Sequence, residues 1–267
     1  MESLKTGQFY GQTNVTIRGN GVTLTDTEYT HEKVDWHYHE NAYFTFILEG
    51  KVLEGNKKET YHCAAGSLLF HHWHESHYNI KPKGFTRGFH VELDPQWFQQ
   101  YRIGSLHGSI KISDPRVKIQ MYNIVKETKL DPQASGLAID SLLEALMDEM
   151  VGNNDTFNRK IPVWTKLLCE MLNDAPVETP TLTSLATALN IHPVHLSRDF
   201  PRYFHCNLGD YMRAIRIHKA LSLLTDKRKS LTDIALECGF ADQSHFIRTF
   251  KAITRTNPLQ YRNFLLK

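Results

Sequence analysis

The chain has 267 residues, with 31 Lys and Arg, 29 Asp and Glu, 41% hydrophobic residues and 10 prolines, values that exclude disordered and collagen-like chains. Its length predicts two domains. Charge is divided, with 15 Lys and Arg against 20 Asp and Glu over residues 1–157 and 16 against 9 over residues 158–267, so the second half is the one drawn to polyanions. No apolar run approaches the roughly 18 residues of a membrane span, and residues 1–11 hold no signal-peptide core. Four cysteines without a CxxC pair encode neither a disulfide framework nor a zinc ribbon. A cytoplasmic protein with no membrane partner is expected.

From residue 15 to 93 the chain reads as short strands at 22–25, 43–48, 51–54, 60–63, 67–71, 77–80 and 87–93. Turn residues such as Glu49-Gly50, Gly55-Asn56 and Pro82-Lys83-Gly84 separate them, which predicts a small β-sandwich or barrel. Nine of the 15 histidines fall between His31 and His90. In a strand, His37 and His39 project from one face; Tyr43, Thr45 and Ile47 likewise share a face, with Phe44, Phe46 and Leu48 on the other. His72 and His74 share a face only if the strand at 67–71 continues, and a solvated loop is the favoured reading.

Next, Asp114-Pro115 and Asp131-Pro132 each read as an N-cap followed by proline at the first helical position, where a missing N–H costs nothing. The first helix carries Val117, Met121, Ile124 and Val125 on one face; the second carries Ile139, Leu142, Leu143, Leu146 and Met150. Two such stripes offer more apolar surface than one sheet edge usually covers, so the hairpin is expected to associate with a second copy. The polar run GNNDTFNRK at 152–160 reads as a linker.

Beyond it, short helices are expected at 162–172, 182–189, 194–204, 208–224, 231–237, 243–253 and 258–265. Residues 182–200 (LTSLATALNIHPVHLSRDF) and 231–250 (LTDIALECGFADQSHFIRTF) share a plan. Each opens with Thr183 or Thr232 in capping position, has Ala186 or Ala235 in mid-helix, turns at Asn190-Ile191 or Gly239-Phe240, and enters a helix ending in Arg-x-Phe. This is a tandem helix-turn-helix. The alanines permit close crossing, Gly239 supplies a positive φ, and Asn190 is the next best residue for one.

In the second helices Leu196, Phe200, Phe246 and Phe250 point inward. That leaves Val194, Ser197, Arg198 and Arg202 on one outer face and Gln243, Ser244, Ile247, Arg248 and Lys251 on the other. Both faces suit a major groove, where arginine pairs with guanine, glutamine with adenine, and further cations neutralise phosphates. Arg198 and Arg248 stay open between base reading and local or phosphate ion pairs. The intervening helix, about 207–226 and so roughly 30 Å long, matches one DNA turn of about 34 Å and would place the heads in successive groove segments.

Residues 160–267 closely resemble the DNA-binding domain of the AraC/XylS family of bacterial transcription regulators, above all in IALECGFADQSHFIRTFK through NPLQYR. The resemblance implies that Val194, Ser197 and Arg198, and Gln243, Ser244, Ile247 and Arg248, hold the groove-facing positions. The first head departs from the pattern twice. His205 stands where the family usually ends the first recognition helix with Gly, and Pro201 sits inside that helix; the second head matches without such exceptions.

The stretch WHYHENAYFTFILEG at 36–50, followed by Ala65-Gly66 and His77, resembles more loosely a cupin β-barrel, the usual sensor domain of this family. A barrel would bring His77 opposite His37 and His39, and three imidazoles suit a divalent transition metal such as zinc, nickel, copper or iron. A metal-binding cupin usually has a glutamate three or four residues after its HxH, where this chain has Tyr43 and Phe44. Glu40 points to the opposite face, and Glu75 reaches in only if its loop allows. His37, His39, Tyr43 and His77 are therefore expected to wall an effector pocket, with metal ligation by His37, His39 and His77 as the alternative.

The expectation is an α+β two-domain chain. A cupin-like β-barrel covers 1–112, a helical hairpin dimerising through Leu142 and Leu146 covers 113–152, a linker covers 153–160, and an all-α tandem helix-turn-helix covers 161–267. Such a homodimer would bind double-stranded DNA at an operator with paired half-sites and respond to a small-molecule effector. RNA polymerase is a further candidate partner, and activation or repression is left open. No catalytic residue is assigned. The competing class, a metal-dependent cupin dioxygenase or isomerase fused to a DNA-binding domain, lacks the glutamate and any Ser/His/Asp-like constellation.

Overall fold

The computed structural model describes residues 2–100, 109–130, 136–152, 162–174 and 180–266. Contacts divide the chain into two compact units, Met1–Ile112 with Glu127–Glu144, and Ser113–Lys126 with Ala145–Lys267. The hairpin is thus no body of its own, since its loop-side part groups with the strands and its open ends with the helical half. The expected linker at 153–160 and the Asp131-Pro132 helix start lie outside the described residues.

The first unit contains β1 (Glu2–Leu4), β2 (Gln12–Gly19), β3 (Val22–Glu28), β4 (Lys33–His39), β5 (Ala42–Glu49), β6 (Lys51–Asn56), β7 (Thr60–Ala64), β8 (Leu68–His71), β9 (His77–Ile80), β10 (Arg87–Leu93), α1 (Pro95–Gln100) and β11 (Ile110–Ile112). They form a five-stranded sheet in the order β1-β4-β9-β6-β7 and a six-stranded sheet in the order β11-β8-β5-β10-β3-β2. The central strand β5 is buried on both faces. Tyr43 and Thr45 look into the space between the sheets, while Phe44 packs on Phe70, its partner in β8, with ring centroids 5.1 Å apart. Gly50 makes the β5–β6 turn at φ 80°, and a Cβ there would stand 2.1 Å from the Phe85 carbonyl oxygen, so no other residue fits.

Some strands escape the sequence reading. The edge strand β2 exposes nearly every side chain, so no alternation announces it. In β4 the inward positions are imidazoles, which hides the apolar face.

Asp26 is a buried charge in this unit. Arg87 donates from Nε (2.8 Å) and Nη2 (2.5 Å) to the two carboxylate oxygens of Asp26, and Lys129 Nζ donates to Oδ2 at 2.9 Å. Lys129 lies in the last turn of α2 (Pro115–Leu130), so this carboxylate pins the end of that helix to β3. Burial opposes ionisation of Asp26, but the bonds from Arg87 and then Lys129 outweigh it and hold the carboxyl below its ordinary range.

In α2 the residues Val117, Met121, Ile124 and Val125 are buried as expected, and in α3 (Gly136–Gly152) so are Ile139, Leu143, Leu146 and Met150. This corrects the assignment of Leu146 to a dimer contact. Its side chain is 0% exposed within its own chain, because the i, i+3, i+4 stripe faces inward, and Leu142 is only half-buried at its margin.

The helical half continues with α4 (Val163–Asp174), α5 (Leu182–Ala188), α6 (Pro193–Phe204), α7 (Leu208–Leu223), α8 (Leu231–Glu237), α9 (Gln243–Thr254) and α10 (Pro258–Leu265). Leu168, Leu172, Leu185, Leu196, Phe200, Phe204 and Tyr211 make one core cluster, with Phe200 stacked on Phe204 at 4.2 Å. The helix α7 has 16 residues, about 24 Å, which corrects the expected 30 Å. The chain turns early because Asp226 accepts from the Arg228 amide at 3.0 Å, while Arg262 donates to the carbonyls of Leu224 and Lys229 and holds that turn.

Replacing Asp26 by Asn should cost about 3–5 kcal/mol, since it leaves Arg87 and Lys129 as uncompensated, largely buried cations. Urea unfolding followed through the strand unit checks this. In the wild type the carboxylate's contribution is present above the ordinary carboxylate range and is lost as pH falls through its lowered folded value, so the variant's unfolding should lose part of that acid dependence.

Candidate nucleic-acid interface and sensor cavity

The two heads are built alike. The expected caps Thr183 and Thr232 are corrected to Thr181 and Ser230, each placed one residue before its helix. The Thr181 hydroxyl accepts from the Ser184 amide at 3.0 Å, and Ser230 forms a reciprocal capping box with Asp233. Thr232 instead donates its hydroxyl to Gln243 Oε1 at 2.8 Å, tying α8 to the start of α9. Both first helices end in a Schellman pair. The Ile191 amide donates to Ala186 O and Asn190 to Thr187 O; Phe240 donates to Ala235 O and Gly239 to Leu236 O. Asn190 (φ 54°) and Gly239 (φ 77°) take the left-handed position as expected.

The second helices α6 and α9 have 12 residues each and share their ending. His205 caps α6 at φ 53°, ψ 18°, and Arg255 caps α9 at φ 59°, ψ 12°. The second head therefore carries the same non-glycine exception as the first. After each cap an asparagine starts a further helix: Asn207 accepts from Asp210 N at 2.8 Å and Asn257 from Gln260 N at 2.9 Å. The repeat is thus three helices long, a periodicity the two-helix reading missed.

Outer faces separate as expected. Val194, Ser197, Arg198 and Arg202 are exposed on α6, as are Ser244, Arg248 and Lys251 on α9, with Gln243 and Ile247 half-buried. Arg198 donates to Asp199 at 3.0 Å, and Arg202 lies 3.4 Å from the same carboxylate. These pairs are exposed and contribute little, so a phosphate or base can replace them. Among the described residues Arg248 makes no ion pair. It lines a cleft of about 550 Å³ with His245 and Ala252 of α9, facing Arg116, Asn123 and Glu149.

Between the two sheets lies a cavity of about 30 Å³ lined by His37, His39, Tyr43, Thr45, Glu54, His77 and His90 among others. His37 and His77 are register partners on β4 and β9, and the period of two puts His39 on the same side as His37. One nitrogen from each of the three imidazoles lies within 4.8 Å of the others. The Nδ1 atoms of His37 and His77 point at the carbonyls of Asp35 (2.8 Å) and Glu75 (3.3 Å). Carbonyls only accept, so both Nδ1 atoms carry the proton and both Nε2 lone pairs face the cavity. The Tyr43 hydroxyl stands 2.9 Å from His77 Nε2. Phe9 closes the space, its ring stacked on His90 at 3.7 Å.

Burial is the largest influence on every shifted imidazole. It lowers His37, lowers His39 well below the ordinary value, and brings His77 and His90 down to about 3. Glu54 is buried beside them. Burial opposes its charge, but His71 and then His77 and His37 hold its carboxyl below the usual range. His71 Nε2 lies 2.9 Å from Glu54 Oε1 without the alignment of a hydrogen bond. Sequence reasoning missed Glu54, His71 and His90. Their signal is a polar residue on the inward phase of an alternating strand, as in Val52-x-Glu54 and Gly88-x-His90. Glu40 does point away, accepting from Thr6, and the Glu75 carboxylate accepts from Ser109 Oγ at 2.8 Å instead of entering the cavity. The strand β8 ends at His71, which leaves His74 exposed in a loop at φ 61°.

Residues 19–159 match the model of the AraC-like ligand binding domain, and residues 185–263 match that of a helix-turn-helix domain. The bifunctional transcriptional activator/DNA repair enzyme AdaA of Bacillus subtilis is 33% identical over 107 residues, 39% of this chain and 51% of that protein. The uncharacterized HTH-type transcriptional regulator YijO of Escherichia coli is 25% identical over 151 residues, 55% of this chain and 53% of that protein. The chain thus spans about half the length of these curated relatives. A crystal structure of ToxT from Vibrio cholerae aligns at 13% identity over 92% of this chain and 98% of that one, with a TM-score of 0.39. Among the described residues no helix is long and apolar enough to cross a membrane.

The left-handed cap offers a direct test. A non-glycine residue in that conformation costs about 1–2 kcal/mol, of which glycine's chain entropy returns roughly half, so His205→Gly should stabilise the helical half by about 0.5–1 kcal/mol. A raised melting temperature by circular dichroism checks it; an unchanged or lower one would show that the His205 side chain contributes what its backbone loses.

Proposed function

The chain belongs to the AraC-like family of regulators, and from that premise we propose that it is a ligand-responsive transcription regulator that reads operator DNA with two heads and acts as a homodimer. The observation that carries this reading is one head geometry built twice in a basic unit, with an outward cationic face each time. The helix α7 packs against both α6 and α9, so it couples the two heads as one solid spacer. Val194, Ser197 and Arg198 on α6 and Gln243, Ser244, Ile247 and Arg248 on α9 supply the base-facing groups, with Arg202 and Lys251 at the phosphates. A regulator of this kind acts on transcription by recruiting RNA polymerase or by excluding it. Run-off transcription with purified polymerase distinguishes the two.

The effector site is the strand cavity walled by His37, His39, Tyr43 and His77. Its volume of about 30 Å³ suits an ion or a single water, whereas organic ligands fill about 300–1,000 Å³. An organic effector would therefore enter by displacing the Phe9 ring. Self-association falls to the rim of α3, where Leu137 is 82% exposed and Leu142 half-buried.

Selection of bound sequences from a random duplex pool tests the reading, and failure to enrich any motif would defeat it. On the selected site Arg248→Ala should weaken binding by about 1–3 kcal/mol and relax preference at one position. A uniform loss across sequences would make Arg248 a phosphate contact. Affinity should fall steeply with salt, by a log–log slope of about −0.9 for each phosphate neutralised.

Sedimentation of the full chain should give a dimer that Leu137→Glu converts to a monomer with unchanged circular dichroism. Binding to a paired operator should then weaken by far more than binding to a single half-site, because the linked second head is lost. A dimer that survives the substitution would move the interface elsewhere.

A further inference from the structure

We propose that His37, His39 and His77 form a binding site for a divalent transition-metal ion, with an open coordination position toward Tyr43 and the strand cavity. Three observations point there together. The first is convergence, since three buried imidazoles present one nitrogen each within 4.8 Å. In a tetrahedral site with N–metal distances of 2.0–2.1 Å the nitrogens stand about 3.3 Å apart. Binding therefore draws the nitrogens together by up to about 1.5 Å.

The second is the outer hydrogen bonding. In metal sites a ligating imidazole holds its far N–H on a carbonyl or carboxylate, which fixes the tautomer and aims the other lone pair. The Asp35 and Glu75 carbonyls do this for His37 and His77. His39 Nδ1 is buried with no partner, as is Nδ1 of His71 close by, an uncommon expense in a folded interior.

The third is charge and size. The carboxylate of Glu54 is buried on the wall of the same cavity with histidines for neighbours, and a cation there would neutralise it. A space of about 30 Å³ matches an ion better than an organic molecule. Imidazole donors select zinc, nickel, copper or iron over magnesium and calcium, which favour oxygen. Tyr43, at the position where the sequence lacks a glutamate, donates to His77 Nε2 at 2.9 Å; a metal taking that lone pair would release the hydroxyl to bond whatever occupies the open position.

The proposal rests on the sensor reading of this cavity only for its consequence on DNA, and the test separates the two. Untagged full-length protein, treated with chelator and dialysed, is titrated with Zn²⁺ by calorimetry and with Co²⁺ by visible absorption. One equivalent per chain and the intense absorption of tetrahedral Co²⁺ are expected. His39→Ala should weaken binding by more than the roughly 10- to 100-fold typical of losing an outer hydrogen bond. The loop variant His74→Ala should bind as wild type does. If His39→Ala fails to fold, His37→Gln with unchanged circular dichroism stands in for it. No saturable binding, or equal binding by wild type and the ligand variants, would overturn the site. Mobility shifts on selected DNA with and without Zn²⁺ then address the sensor reading alone. Metal bound at the histidines with unchanged DNA affinity and unchanged transcription sinks that reading while the metal site stands.

Discussion

In the strand unit the cavity depends on the register that sets His37 opposite His77 across β4 and β9. Side chains alternate with a period of two, so a slip of one residue would turn His37 and His39 out to solvent and bring in Trp36 and Tyr38, which now face outward or lie half-buried. The pairing is held from outside as well as within. On its far edge β4 pairs in parallel with β1, where Glu2 meets His37 and Leu4 meets His39. Backbone bonds close both ends, from the His74 amide to His39 O and from Lys81 to Glu32 O. The imidazole cluster is thus placed by main-chain bonds that owe nothing to the imidazoles themselves.

The same unit handles buried polarity in two ways. Asp26 keeps its charge because Arg87 and Lys129 both bond it, and the group works as a clamp between β3, β10 and the end of α2. His37, His39, His77 and His90 are steered away from charge instead, since burial lowers all four, and buried nitrogens of His39 and His71 find no hydrogen-bond partner. An apolar filling of the same volume would cost less to bury. The cluster therefore makes better sense as a binding wall than as a stabilising core, and the contrast with Asp26 shows that this chain can satisfy a buried polar group where only stability is at issue.

Much of this was legible in the sequence. The strands at 77–80 and 87–93 fall where the turn residues bracket them, and the heads follow from Ala186 and Ala235 with their matching turns. What escaped had physical causes. Edge strand β2 buries too little to show a period, and β4 replaces its apolar phase with His37 and His39. The caps Thr181 and Ser230 were obscured by threonines two residues on: the Thr183 carbonyl accepts from the Thr187 hydroxyl, and the Thr232 hydroxyl donates to Gln243. Leu146 read as an interface residue because a periodic stripe tells that a face is covered without telling by what. Glu54, His71 and His90 were legible only as polar interruptions of an apolar phase, a signal that gains meaning once the two sheets are known to face each other.

The helix α7 has a further consequence, for how such a chain can diverge. It touches both heads along a rigid 16-residue rod, and each residue added within it would rotate one head about 100° against the other and shift it about 1.5 Å. Point substitutions on its exposed side leave that phase intact, whereas a single insertion or deletion breaks it at once. The turn at 57–59, exposed between β6 and β7, carries no such phase. Lineages descending from this chain should therefore vary the length of their strand turns freely while keeping α7 at constant length, and new operator preferences should arise by exchanging side chains on α6 and α9 and not by re-spacing them.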